Sequence, residues 1–216
     1  QQHRTMMKVI SFNINSIRAR PHQVEAIVKK HQPDAIGLQE TKVHDDDFPY
    51  EIPESLGYKA HIHGQKGHYG VAILTKEEPV SVNKGFETDD DEAQKRFISV
   101  TLKKGRKKIH ILNGYFPQGE ERNHPIKFPY KVKFYQDLMV HIKKNYDPKD
   151  HLMVMGDLNI SPEDIDIGIG EENKKRWLRS GKCSFLPEER EMLSTLTNWG
   201  LFDSDRTLFP DSEDEL

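Results

Sequence analysis

The chain has 216 residues, a length that fits one domain with a sizeable core and therefore predicts one site. A hydrophobic fraction of 35% and a charged fraction of 31% argue against disorder of the whole, and no apolar run approaches the length of a membrane helix. The net charge of -3 argues against bulk coating of nucleic acid, and the single cysteine, Cys183, excludes an intramolecular disulfide and favours a reduced compartment, the cytoplasm.

The first fifty residues predict a strand–helix–strand unit of the kind that builds α/β layers. Residues 1–6 are polar and precede a second methionine, so we interpret them as a leader or a cloning remnant and place the domain at 7–216. Pro21 suits the first turn of a helix because its fixed φ is already helical. The unit comprises an apolar strand over residues 9–12, a helix over 22–31 and a second strand over 34–38.

The middle of the chain is predicted to be mostly β, followed by one long helix. A basic run at 103–108 lies between two of the strands, and we interpret it as the charged tip of a hairpin rather than as a DNA clamp. Apolar residues at helical spacing predict an amphipathic helix over 126–146, and a strand follows it at 151–155. The five strands before this helix are expected over 58–62, 71–75, 79–86, 97–102 and 109–113.

The last third of the chain has little periodicity. Residues 161–183 are rich in Gly and charged residues, and so long an irregular stretch inside a domain usually has a function. A helix is expected over 187–199 with its end at Gly200, and the acidic tail at 211–215 is expected to fray.

Four motifs place polar side chains directly after apolar strands, which is where α/β proteins collect their sites. Asn13 and Asn15 follow the first strand, and their side chains face the same side if the backbone stays extended. Glu40 follows the second strand and offers a hard oxygen ligand of the kind that Mg²⁺ takes. A surface glutamate paired with Lys42 is the structural alternative for this motif.

The other two motifs supply a proton acceptor, an amide and a phenol. Asp157 and Asn159 follow the strand at 151–155; the carboxylate can accept a proton from an attacking water, and the amide can donate to that water or to a phosphate oxygen. Tyr115 follows the strand at 109–113 and can donate to a phosphate oxygen, or act as a phenolate if a metal and lysines lower its pKa. A turn-forming aspartate and a tyrosine packed in its loop are the alternatives.

The four motifs gain weight together, because a layered α/β fold brings the ends of its strands to one edge. The sequence has no Ser-His-Asp pattern, no Walker-type phosphate loop and no Cys/His zinc spacing, which argues against nucleotide hydrolases and zinc enzymes. Metal-assisted cleavage of phosphodiesters remains as the predicted chemistry.

With these motifs in place, the sequence from Met7 to about Leu216 resembles the exonuclease III family, which belongs to the exonuclease–endonuclease–phosphatase superfamily together with the apurinic/apyrimidinic endonucleases. The resemblance is specific because six separate segments contribute to it. They are SFNIN (11–15), GLQETK (37–42), GQKGHYG (64–70), NGYFPQG (113–119), GDLNI (156–160) and GKCSFLP (181–187).

The resemblance implies an α/β (α+β) fold, a four-layer αββα sandwich of two mixed sheets flanked by helices, here lacking its last strands. It implies a hydrolase of the exodeoxyribonuclease III type: a magnesium-dependent DNA-repair phosphodiesterase, with Mn²⁺ as the alternative metal. The implied activities are 3′–5′ exonuclease on double-stranded DNA and endonuclease at abasic sites. The implied partners are duplex DNA, abasic sites and 3′ ends, with no membrane, and a monomer is expected.

Carried over residue by residue, the resemblance implies catalytic roles for Tyr115, Asp157 and Asn159. Glu40 is the implied metal ligand and Asn13 supports the metal shell, to which Asp157 and Asn159 also belong. The implied contacts to DNA phosphates are Arg96, Gln118, Lys127 and Lys182.

In the family the chain continues with an aromatic loop, a strand bearing an aspartate and a closing Asp-His pair, so we expect an incomplete domain and an uncertain activity of this chain. Two alternatives remain open. One is another metal-dependent phosphoesterase of the superfamily acting on lipid or small phosphates, against which the stretch 168–182 favours DNA. The other is a catalytically dead DNA-binding fragment, which binding without turnover would indicate.

Overall fold

This computed structural model describes residues 5–117, 125–147, 150–156, 163–169, 175–179 and 201–203. Within them the helices are α1 (Pro21–His31), α2 (Glu51–Ser55) and α3 (Lys127–Asn145), with a 3-10 turn at Asp45–Asp47. The strands are β1 (Thr5–Asn13), β2 (Ala35–Gln39), β3 (Lys59–His63), β4 (Val71–Thr75), β5 (Ser81–Lys84), β6 (Phe97–Lys104), β7 (Lys107–Gly114), β8 (His151–Gly156), β9 (Glu163–Ile169), β10 (Lys175–Arg179) and β11 (Leu201–Asp203). None of the described helices has the length and apolar character that crossing a membrane requires.

The strands form two mixed sheets. The first has the order β3-β4-β2-β1-β9, with β1 and β2 parallel and the other neighbours antiparallel. The second has the order β11-β10-β8-β7-β6-β5, with β7, β8, β10 and β11 parallel and the β5-β6-β7 meander antiparallel. The two mixed sheets predicted from the resemblance are confirmed.

Three apolar clusters define four layers, because alternate side chains of each strand point to opposite faces. Met7 and Val9 of β1 point into the cluster between the sheets, where they meet residues of β6, β7 and β8. Ile10 of the same strand points the other way, into the cluster under α1 and α2. The outer face of the second sheet packs against α3 in the third cluster. The order helix, sheet, sheet, helix follows.

The two long helices form as the spacing of their apolar residues predicts. Pro21 occupies the first turn of α1, which ends at Gln32 in the left-handed conformation. Its buried face is Val24, Ile27 and Val28. α3 buries Leu138 among the other apolar residues at helical spacing, and together these contacts hold each helix on its sheet.

One expectation about the chain is wrong, and a second needs a different boundary for its strand. The stretch 161–183, expected to be irregular, contains β9 and β10, and the missed signal is the alternation of acidic residues with Ile165, Ile167 and Ile169. β1 begins at Thr5, and this residue pairs with Ile169. Thr5 and Met6 therefore extend β1, and the interpretation of residues 1–6 as a leader stays a prediction. The helix expected over 187–199 and the tail at 211–215 lie outside the described residues.

A buried polar cluster joins the two sheets close to their common edge. The Asn113 side chain on β7 donates from Nδ2 to the carbonyl oxygens of Leu38 (3.0 Å) and Ala72 (2.9 Å) in the other sheet. Its Oδ1 accepts from Gln39 Nε2 at 2.7 Å, and Gln39 Nε2 also donates to Ser11 Oγ at 3.0 Å. Asn113, Gln39 and Ser11 are fully buried, so these bonds fix the position of one sheet relative to the other.

Asn113→Ala is expected to lower the free energy of unfolding by about 3 kcal/mol, because it leaves two carbonyls and the Gln39 amide without this partner in a dry interface. For a chain of this size that corresponds to a fall in Tm of about 6–12 °C in a thermal melt. Asn83→Ala is the control, since Asn83 makes one bond, to the Gly85 carbonyl, on an exposed strand. If the Asn113→Ala and Asn83→Ala variants have the same Tm, the buried cluster does not stabilise the fold as described.

Candidate functional site at the common edge of the sheets

The predicted convergence of strand ends is present in the fold. β1 and β2 are parallel and end side by side, with Asn13 paired to Gln39. β7 and β8 are parallel in the other sheet and end with Gly114 paired to Gly156. Three of the four motifs therefore leave their strands at one edge, and the fourth begins directly after Gly156 in the sequence.

Glu40 is the centre of the described part of this edge. Its Oε1 accepts from Asn13 Nδ2 at 3.2 Å, its Oε2 lies 3.4 Å from Lys42 Nζ, and the Tyr115 hydroxyl donates to the carboxylate. The Glu40 side chain is 19% exposed, so it is open to a ligand yet held by groups from three strand ends. Both interpretations of Glu40 are therefore partly met. Glu40 is paired with Lys42, as the structural alternative stated, but it is mostly buried among the other motifs and is not an ordinary surface glutamate.

The surroundings of Glu40 keep it ionised. Burial alone raises the pKa of this carboxyl, but the hydrogen bonds from Tyr115 and Asn13 and the charge of Lys42 outweigh it, and the pKa lies below its ordinary value. A carboxylate that is charged without a metal present is a ready oxygen ligand.

The backbone is not extended from Asn13 to Asn15, so the condition for the expected common face of their side chains is not met. β1 ends at Asn13, and Asn15 has φ 45°, in the left-handed region. Asn13 Oδ1 accepts from the Asn15 backbone N–H at 3.0 Å, and Asn15 Oδ1 accepts from Lys42 Nζ at 2.6 Å. Asn15 therefore positions Lys42 and turns the chain, a role that the alternating pattern could not reveal.

Arg96 lies between two tyrosine rings at the same edge. Its Cζ is 4.5 Å from the ring centroid of Tyr69 and 4.7 Å from that of Tyr115. The guanidinium donates to the Tyr115 carbonyl at 3.2 Å and to Gln94 Oε1 at 2.6 Å. This sandwich fixes the Tyr115 ring by cation–π contact and leaves further guanidinium donors for a ligand.

Tyr69 was not among the predicted site residues, although the segment GQKGHYG contains it. Its carbonyl accepts from the Lys42 backbone N–H at 3.0 Å, which ties the loop around residues 64–70 to the loop after β2. Glu40, Lys42 and Tyr69 all have φ between 55° and 59°, a strained conformation for these residues. Such strain is typical of functional sites. The sequence signal that could have identified Tyr69 as a site residue was a bulky tyrosine directly before Gly70.

Comparison with known proteins agrees with this geometry. Residues 10–212 match the Endonuclease/Exonuclease/phosphatase family. The chain belongs to this family. Exodeoxyribonuclease III of Haemophilus influenzae is 59% identical to it over 210 residues, which make up 97% of this chain and 79% of that protein. The resemblance stated from the motifs is confirmed, and so is the expectation of a hydrolytic nuclease.

Solved structures of the family share the fold. The 3′ phosphatase NExo from Neisseria, bound to a product DNA hairpin, has a TM-score of 0.73 and 27% identity and covers 95% of this chain and 76% of its own. An AP endonuclease from Archaeoglobus fulgidus has a TM-score of 0.63 and 33% identity and covers 69% of this chain and 56% of its own. Both support the two-sheet architecture assigned above.

Several residues that the family resemblance implies are not placed by the structure. Lys127 is the first residue of α3, but its side chain is outside the described part. The others outside the described residues are Asp157, Asn159, Gln118 and Lys182. Their roles stay predictions.

The described donors at this edge are hard oxygen groups of the kind that divalent cations such as Mg²⁺ and Mn²⁺ bind. Within the described residues there is no group of three His, Cys, Asp or Glu side chains that could hold a metal. They provide one carboxylate, Glu40, with an amide beside it, and Mg²⁺ typically takes one or two protein carboxylates and completes its shell with water and phosphate.

His63 is the last residue of β3, directly before the loop 64–70, and its titration makes the free energy of unfolding depend on pH. Burial and Lys95 lower its pKa to about 4, with Asp45 opposing and Lys84 adding to this shift. As the pH falls, His63 therefore takes up its proton in the unfolded state before it does so in the folded state. The free energy of unfolding is at its full value above the ordinary pKa of 6.5 and decreases as the pH drops towards 4. Burial also lowers the pKa of His61 and His141, which act in the same direction.

His63→Gln is expected to flatten this dependence. The parent chain should lose about 1–2 kcal/mol between pH 6.5 and pH 4.5 through His63, a figure reduced from the full shift because the ring is only partly buried. Urea unfolding at both pH values measures it, with the exposed His22→Gln as control. If the chain with His63→Gln loses as much stability as the control, His63 is not the group responsible.

Proposed function

We propose that this chain is a magnesium-dependent DNA-repair phosphodiesterase that acts on double-stranded DNA, both as a 3′–5′ exonuclease and as an endonuclease at abasic sites. The observation that carries the proposal is the cluster of Asn13, Glu40 and Tyr115 at the edge where β1, β2, β7 and β8 end. The names of the relatives support it, and so does the Neisseria structure with product DNA.

In this proposal Glu40 holds the metal and Asn13 orients Glu40. A bound Mg²⁺, or Mn²⁺ in its place, supplies charge that offsets the developing charge on the phosphate. Asp157 accepts a proton from the attacking water, whose oxygen bonds to phosphorus while the bond from phosphorus to the leaving O3′ breaks. Asn159 donates a hydrogen bond to that water or to a phosphate oxygen.

The remaining residues hold the substrate. The Tyr115 hydroxyl donates to Glu40 in this structure, and in the proposal its single O–H turns to a phosphate oxygen when a metal occupies the carboxylate. Phosphate contacts by Arg96, Gln118, Lys127 and Lys182 position the duplex without reading its sequence. We propose a monomer that works in the cytoplasm, where the single cysteine stays reduced.

Cleavage of a fluorescent duplex with one abasic-site analogue tests the proposal, with Mg²⁺ and with chelator. The 216-residue chain is compared with a version extended by the C-terminal region that the family resemblance implies. We expect metal-dependent cutting by the extended version. If neither version cuts, the proposal is wrong and a phosphoesterase with another substrate, or a binding fragment, takes its place; if both cut equally, the implied Asp-His pair is not needed.

A further inference from the structure

The β6–β7 hairpin carries a basic tip that the proposed catalysis does not use. Five of the six residues at 103–108 are Lys or Arg, around the turn at Gly105. The strand register sets Lys103 opposite Lys108 and Lys104 opposite Lys107. Like charges directly opposite each other in an antiparallel pair are destabilising, so this register has a cost that the fold does not require.

Within the described residues, three of these five cations lack the acidic partner that several other surface lysines have. Lys104 lies 3.4 Å from Asp34. By contrast, among the residues that the structure describes, no acidic group pairs with Lys103, Arg106 or Lys108, all of which are exposed. Examples of paired surface lysines are Lys29 with Glu25 (2.6 Å), Lys59 with Glu78 (3.1 Å) and Lys133 with Asp137 (2.7 Å).

The hairpin tip lies far from the catalytic edge. β7 runs from Lys107 at the tip to Gly114 at that edge. Eight residues of extended strand span about 23 Å, so the tip does not contact the scissile phosphate. DNA bound at the tip is therefore either a separate DNA molecule or a part of the same molecule that is distant from the phosphate that is cut.

We propose that the hairpin 103–108, which the sequence alone led us to interpret as a charged tip without a ligand, is an auxiliary binding site for the phosphate backbone of duplex DNA. In a chain with net charge -3, a local group of exposed cations such as Lys103, Arg106 and Lys108 is a means by which phosphates can be met. The opposition of Lys103 and Lys108, which no described acidic group compensates, fits this role, since binding sites keep features that stability alone disfavours. The choice of DNA as the polyanion rests on the proposed function; the cationic site itself does not.

Lys103→Gln combined with Lys108→Gln tests this site. Binding of the undamaged duplex is measured with chelator at several salt concentrations, so no cleavage is needed. The slope of log K against log salt should become shallower by about 1–2, because each lost phosphate contact contributes about 0.9. The matched control is Lys29→Gln with Lys59→Gln, which removes the same charge from paired lysines and should leave the slope at the parent value.

The stability of the same variant gives an independent readout. Removing one Lys–Lys opposition should raise Tm by about 1–3 °C while DNA binding weakens. A slope equal to that of the control, or a fall in Tm, overturns the proposal. So does a loss of binding to anionic phospholipid vesicles with DNA binding intact. Cleavage of the abasic duplex is assayed in parallel, so failure of the proposed function, seen as no cutting by any chain, is distinct from failure here.

Discussion

Asp157→Asn is expected to lower the turnover number for cleavage of the abasic duplex by about 10²–10⁴-fold, the range that a positioned general base contributes. The substitution keeps the size of the side chain and removes its capacity to take a proton at neutral pH. The dissociation constant for DNA should stay within about 3-fold of the parent value, because basic and amide side chains make the phosphate contacts.

The measurement is single-turnover cleavage beside equilibrium binding, in whichever chain length cuts in the test of function. Asp46→Asn is the matched control, since Asp46 is an exposed carboxylate of the 3-10 turn. The separation of turnover from affinity identifies a group that acts only in the transition state. Normal turnover with Asp157→Asn would show that another group takes the proton.

Much of the fold follows from patterns that are local in the chain. β4 has the predicted bounds because five successive buried residues, Val71–Thr75, leave no ambiguity about its extent. α1 has the predicted end because Gln32 takes the left-handed conformation and Pro33 follows it. β9 was missed because its apolar residues alternate with acids, a pattern that was interpreted as lack of periodicity.

The site could be predicted only as far as its strand ends. Asn13, Glu40 and Tyr115 were identified because each follows an apolar strand, and parallel neighbours must end together. The sandwich of Arg96 between Tyr69 and Tyr115 depends on contacts between the two sheets and on the loop between β3 and β4. No periodicity within one strand carries that information.

Glu40→Gln is expected to weaken Mg²⁺ binding by at least about 100-fold, because even the loss of a residue that only orients a ligand typically costs 10–100-fold. The glutamine keeps an oxygen that can accept from Asn13, so the loop after β2 should keep its shape. The readout is the rise in Tm with added Mg²⁺, which follows from binding to the folded state alone. Cleavage at low Mg²⁺ should fall with it.

Lys42→Gln is the comparison that makes this test decisive, because it changes the same ion pair from the other side. The ammonium group of Lys42 lies 3.4 Å from Glu40 Oε2 and repels a divalent cation bound to this carboxylate. Removing it should tighten Mg²⁺ binding by about 3–10-fold. Substitutions two residues apart then shift one affinity in opposite directions, which general damage to the loop cannot produce. Undiminished cleavage at low Mg²⁺ with Glu40→Gln would contradict the assignment of Glu40 as the ligand.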